Sequence, residues 1–438
     1  MADRDTSLIR AVGAWGLAAS IVNVTVGGGI FRLPAGVAAS LGTGAPAAYL
    51  VCGAVMGLIA LCFAEAGSRV ASTGGPYAYV EVAFGPYFGF LAGVLVWLLG
   101  TFAVAAVSTI FADSVGALTP SFNGALPRAL ILMTVLAVLS GVNILGVRQG
   151  TFLNAVATVA KLLPLLLLIA VGLFTVRPEH LAWSQGPMPG AVARASILLI
   201  FAYSGIESAL VPSGEIKDVR TTVPRAILVA MAAITFLYLA LHLVAQGVLG
   251  DDLGSQRAPL AEAAARVFGP WGRTFLLLGA TVSMFGYLCG MTLAVPRALF
   301  AFGRDGFLPR PIAAIHGRYR TPYVAIVVQS AIVCVLAITN GFEYLAILAN
   351  LVTLILYGMC CLAAWQLRRR GVQAGGAPLR VPGSRVLPFV ACAIIAWLLT
   401  SVTRQEWTVA GAVIAVASLV FLAARGRRAP SGSPVRDP

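Results

Sequence analysis

Lys161 is one of only two lysines in a chain that otherwise takes its positive charge from arginine, and it stands about nine residues inside a long apolar run. At 1.5 Å of rise per residue that is roughly 14 Å deep if the run is a spanning helix. A lysine near a bilayer midplane costs about 2.5–3.5 kcal/mol on insertion scales, so it needs a partner or a task. Lysine is also the cation whose proton affinity responds most readily to burial. Glu207 is the matching anion, inside a later apolar run and two residues past Ser204-Gly205. An intramembrane carboxylate is functional by default. It is suited to gating, to proton relay or to holding a cationic part of a ligand; the structural alternative is a carboxylate bonded to unwound backbone or to Tyr203. Whether Lys161 and Glu207 pair depends on a distance the sequence does not give. His242 reads as a hydrogen-bonded packing residue rather than a proton carrier, and Glu65 as a partner for Arg69.

The backbone supplies the other chemistry. Gly27-Gly28-Gly29 interrupts the first apolar run, with Pro34 soon after. Each glycine costs a helix roughly 1 kcal/mol against alanine. In lipid a broken backbone is tolerated only where protein or a water-filled cavity covers it, and its freed N–H and C=O groups become ligands. A half-helix beginning at Ile30 would present its positive dipole end to an anion such as a carboxylate. Ser204-Gly205, followed by Pro212 and Gly214, is a second break of the same kind in the sixth run. The sixth run crosses opposite to the first, and interrupted helices at matching positions of two halves point to an inverted-repeat transporter and its binding site.

The elements that hold these groups are apolar helices. The 438 residues are 59% hydrophobic and 11% charged, with mean hydropathy +0.92. Charged residues make up about a quarter of an ordinary soluble chain, so most of this surface must face lipid. About twelve runs reach spanning length: 11–41, 45–68, 86–116, 127–147, 152–176, 191–213, 224–249, 271–300, 322–340, 343–367, 386–403 and 407–424. The expected fold is therefore an all-α integral membrane protein of about twelve spans. Residues 1–428 form one polytopic domain, with five-plus-five inverted repeats near 11–176 and 191–367 and two appended helices at 386–424. The Pro- and Ser-rich stretch 429–438 is expected to be a disordered cytoplasmic tail. No cleavable signal peptide is expected. With both termini cytoplasmic, 21 of the 30 Lys and Arg lie on the cytoplasmic side, 8 lie outside and Lys161 is within a span. That bias orients a multi-pass inner-membrane protein N-in and C-in.

The net charge of +14 sits in short loops between apolar runs, which excludes a nucleic-acid partner and makes membrane lipid the neighbour of the arginines. The seven cysteines all fall in apolar runs without metal-ligand spacing and are expected to pack as small apolar side chains. No cofactor or metal site is expected. With three histidines in all, two of them in loops, the chain offers no nucleophile–base pair or metal set for an intramembrane enzyme. A channel would want a repeated polar lining, whereas two broken helices argue for an occluded site. A sensor of transporter fold would look the same in sequence.

Four motifs in order resemble the amino acid–polyamine–organocation transporter superfamily. They are Gly-Gly-Gly-Ile-Phe-Arg-Leu-Pro at 27–34, Phe63-Ala64-Glu65 through Ser72-Thr73-Gly74-Gly75-Pro76-Tyr77-Ala78-Tyr79, Phe201 to Glu207, and Gly303-Arg304-Asp305-Gly306-Phe307-Leu308-Pro309. The resemblance implies alternating access to an amino acid substrate. Its α-carboxylate would meet N–H groups of the first break and its α-amino group carbonyls of both, roles that fall on Gly27, Gly28, Gly29, Ser204 and Gly205. It further implies that Lys161 replaces the sodium ion of sodium-coupled relatives, leaving proton-coupled symport or exchange, and that Val104, Phe201, Met291 and Thr353 face the substrate's side chain. The apolar character at Val104 and Met291 favours a neutral amino acid; a cationic amino acid or polyamine exchanger is the alternative. Protons are a further expected partner, and monomer and homodimer stay open.

Overall fold

The computed structural model describes residues 13–70, 75–122, 124–146, 151–182, 186, 188–205, 219–373, 378–379, 383 and 385–427. Glu207, Pro212, Gly214, Lys217, Ser72-Thr73-Gly74 and the tail 429–438 lie outside the described residues. The described regular structure is helical: α1 Ala14–Thr25, α2 Leu33–Leu41, α3 Ala45–Arg69, α4 Pro76–Phe84, α5 Pro86–Leu118, α6 Ala125–Ile144, α7 Thr151–Gly172, α8 Pro189–Tyr203, α9 Val219–Leu249, α10 Pro259–Phe268, α11 Pro270–Ala294, α12 Pro296–Arg304, α13 Tyr323–Thr339, α14 Phe342–Arg369, α15 Leu387–Leu399 and α16 Arg404–Arg427. Many start on a proline in the first turn, among them α3, α5, α8, α11 and α15. There the missing N–H is no loss and the fixed φ suits the helix. Pro296 marks a departure from the expected continuous run 271–300, because α11 ends at Ala294 and α12 restarts on the proline.

Among the described residues seven helical stretches are long and apolar enough to cross a membrane, and five shorter apolar helices, including α1, α8 and α15, accompany them. Burial separates core from rim. Of the most apolar window, 72% is buried in α5 and in α14, against 22% in α6 and 17% in α16. The exposed apolar faces of α6 and α16 suit lipid, which asks for no polar cover.

Numbered by the runs in the sequence, the packing repeats with an offset of five. The first helix (α1) lies on the seventh (α9), as the sixth (α8) lies on the second (α3). The third (α5) lies on the tenth (α14), as the eighth (α11) lies on the fifth (α7). Helices five apart also pair directly, α3 with α9, α5 with α11 and α6 with α13. Two five-helix units related by a two-fold axis produce this pattern. A local motif repeats with it. Phe84-Gly85-Pro86 turns α4 into α5, and Phe268-Gly269-Pro270 turns α10 into α11. Both corner glycines have positive φ, 95° and 82°, a region closed to most side chains. The sequence carried this repeat in plain letters, and the spans alone did not reveal it.

Polar clamps fix the bundle. Arg194 of α8 donates from both terminal nitrogens to the two carboxylate oxygens of Glu406 in α16, each at 2.8 Å. Between α5 and α13, Trp97 donates to Gln329 at 2.8 Å and Gln329 to Thr101 at 3.0 Å. Asn143 of α6 reaches Thr292 of α11 at 3.1 Å. Each buried polar side chain so matched avoids the cost of an unmet donor or acceptor.

Close helix approach depends on small residues. A Cβ on Gly53 in α3 would lie 2.3 Å from the Thr235 hydroxyl of α9, whereas one on Gly57 would meet nothing within 4 Å. Gly53→Val is therefore expected to lower the detergent-solubilised melting temperature by the equivalent of about 1–3 kcal/mol of overpacking, with Gly57→Ala close to neutral. Equal melting curves for both variants would contradict the α3–α9 contact.

Candidate functional site

Both expected helix breaks are present, and the local chain explains each. Helix α1 stops at Thr25 because Gly27 is extended, with φ −108° and ψ −162°. A short 3-10 turn follows over Gly28–Phe31, and α2 resumes at Leu33 with Pro34 in its first turn. The α-helix thus restarts three residues later than the expected Ile30, since the 3-10 turn holds Ile30 and the proline sets the new helix. Gly28 and Gly29 open that turn, and their N–H groups, as first donors of a helical segment, have no acceptor within it. In the other half, α8 stops at Tyr203. Ser204 is extended, its N–H and its hydroxyl both lying 2.8 Å from the Ile200 carbonyl. Gly205 then takes φ +114°, which a side chain would strain.

The two breaks touch. A Cβ on Gly205 would lie 3.2 Å from the Val24 side chain and 3.4 Å from its carbonyl oxygen. A Cβ on Gly29 would lie 2.9 Å from the Phe201 ring, and that ring meets Phe342 of α14 edge-on at 5.4 Å. The hydroxyl of Tyr238 in α9 lies 3.2 Å from the Thr25 carbonyl and 2.8 Å from the Ala202 carbonyl. A phenol has one proton to give, so the last turns of α1 and α8 share a single donor. Lys161 of α7 sends its Nζ to the Asn23 carbonyl at 2.5 Å. Asn23 is in the last turn of α1, where carbonyls no longer find an N–H four residues on. Two helix C-terminal ends, each partly negative, therefore converge beside the positive N-terminal end that opens at Gly28.

The expected lining residues divide. Phe201 sits on the first break. Val104 and Met291 instead line a crevice of about 10 Å³ with Leu136, Gln329 and Val333, the room of one water at most. The side chains from the same two helices that reach Gly28 are Val107 and Met284, the latter 2.9 Å from a Cβ placed there. Val107 is one helical turn from Val104 and Met284 two turns from Met291, so face and depth are separate questions. Thr353 is buried and donates to Ala349 of its own helix at 2.7 Å. Tyr238, Val107, Met284 and Phe342 were not singled out from the sequence. Tyr238 alone carried a signal, a polar tip inside an apolar run.

Other polar groups stand apart. His242 packs on the Tyr49 ring at 5.0 Å, but among the described residues neither ring nitrogen has a hydrogen-bond partner. It is a packing residue without the bonds expected of it. Glu65 does pair with Arg69, at 3.2 Å, and also takes two bonds from Arg368 at the end of α14. Glu65 and Arg69 are buried, so this triad bolts α3 to α14. The large concavity of about 840 Å³ among Tyr87, Phe90, Phe302, Arg304 and Phe307 contains none of the break residues.

The family model described as amino acid permease matches residues 12–428. The methylthioribose transporter of Bacillus subtilis (strain 168) is 28% identical over 95% of this chain and 94% of its own length. The serine/threonine exchanger SteT of the same organism is 27% identical, over 84% of this chain and 86% of its own. The human Asc-type amino acid transporter 1 is 28% identical, over 84% of this chain and 73% of its own. All three are transporters and none is an enzyme.

Two measurements check the geometry. Tyr238→Phe leaves two helix-end carbonyls without their shared donor and is expected to cost about 1–3 kcal/mol, seen as a lowered melting temperature in detergent; an unchanged value would remove Tyr238 from the site's framework. Glu65→Gln leaves the buried Arg69 guanidinium and the half-buried Arg368 guanidinium without a counter-charge and is expected to cost about 3–5 kcal/mol, with Glu81→Gln, on the neighbouring helix α4, as the near-neutral control.

Proposed function

The chain belongs to the amino acid permease family, and on that premise we propose that it is a sodium-independent carrier of neutral amino acids. The observation that carries the reading is the meeting of three helix ends between the breaks. Carbonyls at the ends of α1 and α8 suit an α-ammonium group, and the N–H groups of Gly28 and Gly29 suit an α-carboxylate. Gly27, Ser204 and Gly205 shape that backbone. Val107, Phe201 and Met284 are among the side chains touching the breaks, and Phe342 backs the Phe201 ring. They offer apolar surface to a substrate and nothing to pair with a guanidinium. The names of two relatives, a serine/threonine exchanger and an amino acid transporter, support the same class of cargo.

Lys161 gives the coupling. Its ammonium on the Asn23 carbonyl supplies beside the first break the positive charge that a bound sodium ion would otherwise bring, so transport needs no sodium. Glu207 remains a candidate for gating or proton relay. Alternating access follows if the two five-helix units rock about the breaks, a motion supported by the offset-of-five packing. Both termini are assigned to the cytoplasm on the arginine bias of the loops. A second reading comes from the methylthioribose transporter, whose cargo by name is a neutral thio-sugar. It shares the apolar wall but makes no use of paired carboxylate and ammonium subsites.

Purified protein in liposomes tests both. Uptake of labelled serine, alanine or leucine, with or without sodium, is the expected result. Uptake that requires an internal amino acid identifies an exchanger, and uptake into empty vesicles driven by an inward proton gradient identifies a symporter. Methylthioribose uptake with no amino acid uptake replaces the first reading with the second, and strict sodium dependence overturns the role of Lys161. Lys161→Met is expected to lower amino acid uptake at least about tenfold, the equivalent of 1.4 kcal/mol, without a loss of folded protein on size-exclusion chromatography.

A further inference from the structure

A basic pocket at the far end of α14 has no part in the site between the breaks. Trp365, Arg368, Arg369 and Arg385 line a cavity of about 240 Å³ between the last turns of α14 and the start of α15. The Arg369 guanidinium stacks over the Trp365 ring at 5.6 Å, and that ring meets Phe389 edge-on at 5.6 Å. Among the described residues Arg369 and Arg385 form no ion pair. The loop supplies no carboxylate of its own, because the sequence has no Asp or Glu between Glu343 and Glu406, while Arg368, Arg369, Arg370, Arg380, Arg385 and Arg404 fall in that stretch. Arg368 uses its Nε and Nη2 on Glu65. A guanidinium has five N–H donors, so its Nη1 edge keeps two for another acceptor.

We propose that this pocket binds the phosphate of an anionic phospholipid headgroup. Arginine forks match phosphate oxygens in geometry as well as charge, and basic pockets between membrane helices hold such headgroups. The surroundings select a lipid over a free anion. Leu362 on α14 and Val386, Phe389 and Val390 at the start of α15 are exposed apolar side chains beside the arginines. Acyl chains lie along that face while the phosphate sits among the guanidiniums, with Trp365 at the boundary where tryptophan is favoured. Because Arg368 also holds Glu65, an occupied pocket braces the bolt between α3 and α14. The inference rests on the membrane setting alone and stands or falls independently of the cargo.

Native mass spectrometry of the full chain, released from mixed phosphatidylglycerol and phosphatidylcholine micelles, tests it. Two arginines at a membrane surface are worth a preference of roughly tenfold or more for the anionic lipid. Wild type is expected to retain phosphatidylglycerol with that preference, and Arg369→Gln with Arg385→Gln to lose it, while Arg310→Gln in a different loop keeps it. If the double variant does not fold, Arg385→Gln alone, at an exposed loop position, is expected to show a reduced preference. Equal retention of both lipids by wild type, or an unchanged preference in the variants, overturns the proposal. So does displacement of the lipid by millimolar inorganic phosphate, which would mark a free-anion site.

Discussion

A peptide group released from a helix inside a membrane has no water to turn to, and this structure is arranged around two such releases. The breaks at Gly27–Gly29 and Ser204-Gly205 each strand carbonyls at the end of a helix. The protein meets that cost with groups drawn from elsewhere in the chain, a lysine on Asn23 and one tyrosine hydroxyl between Thr25 and Ala202. A donor shared between two acceptors holds neither firmly.

Around that centre the contacts divide into rigid and releasable. The helix pairs that repeat at an offset of five are close-packed through glycine and apolar side chains. The ends of the bundle are tied by charge. Arg194 grips Glu406, Glu65 holds Arg69 and Arg368, and Arg32, just past the first break, reaches the carbonyls of Gln256 and Arg257 in the loop before α10. Arg32 thus links the second half of the first interrupted helix to a loop lying on it, since Gly254 backs onto Ala39 of α2. The part-exposed bonds of Arg32 exchange for water at a modest cost, whereas the buried Glu65–Arg69 pair and the interdigitated cores do not.

Much of this was legible in the sequence because lipid imposes simple rules. Long apolar runs must be helices, Gly-Gly-Gly at mid-run must break one, and a lysine at depth must bond something. Those statements follow from composition and spacing, and the breaks at Gly27 and Ser204 and the bond made by Lys161 answer to them. The pairing of Glu65 with Arg69 was legible too, since residues four apart share a helix face. Glu207 belongs to the same class of reading and lies outside the described residues.

What the sequence could not decide was depth and partnership. Val104 and Met291 are on the helices that reach the first break, yet Val107 and Met284 are the side chains that touch it, because one turn of helix changes height by 5.4 Å without changing face. Tyr238 showed in the sequence only as a polar tip inside an apolar run, and its partners were settled when α9 set its hydroxyl between two helix ends. Arg368 gave no sign that it would share the Glu65 carboxylate from 303 positions away. Local rules fix where a chain must turn, break or carry charge, because those costs are met within a few residues. Which distant group meets each stranded donor or acceptor is settled only when the helices pack.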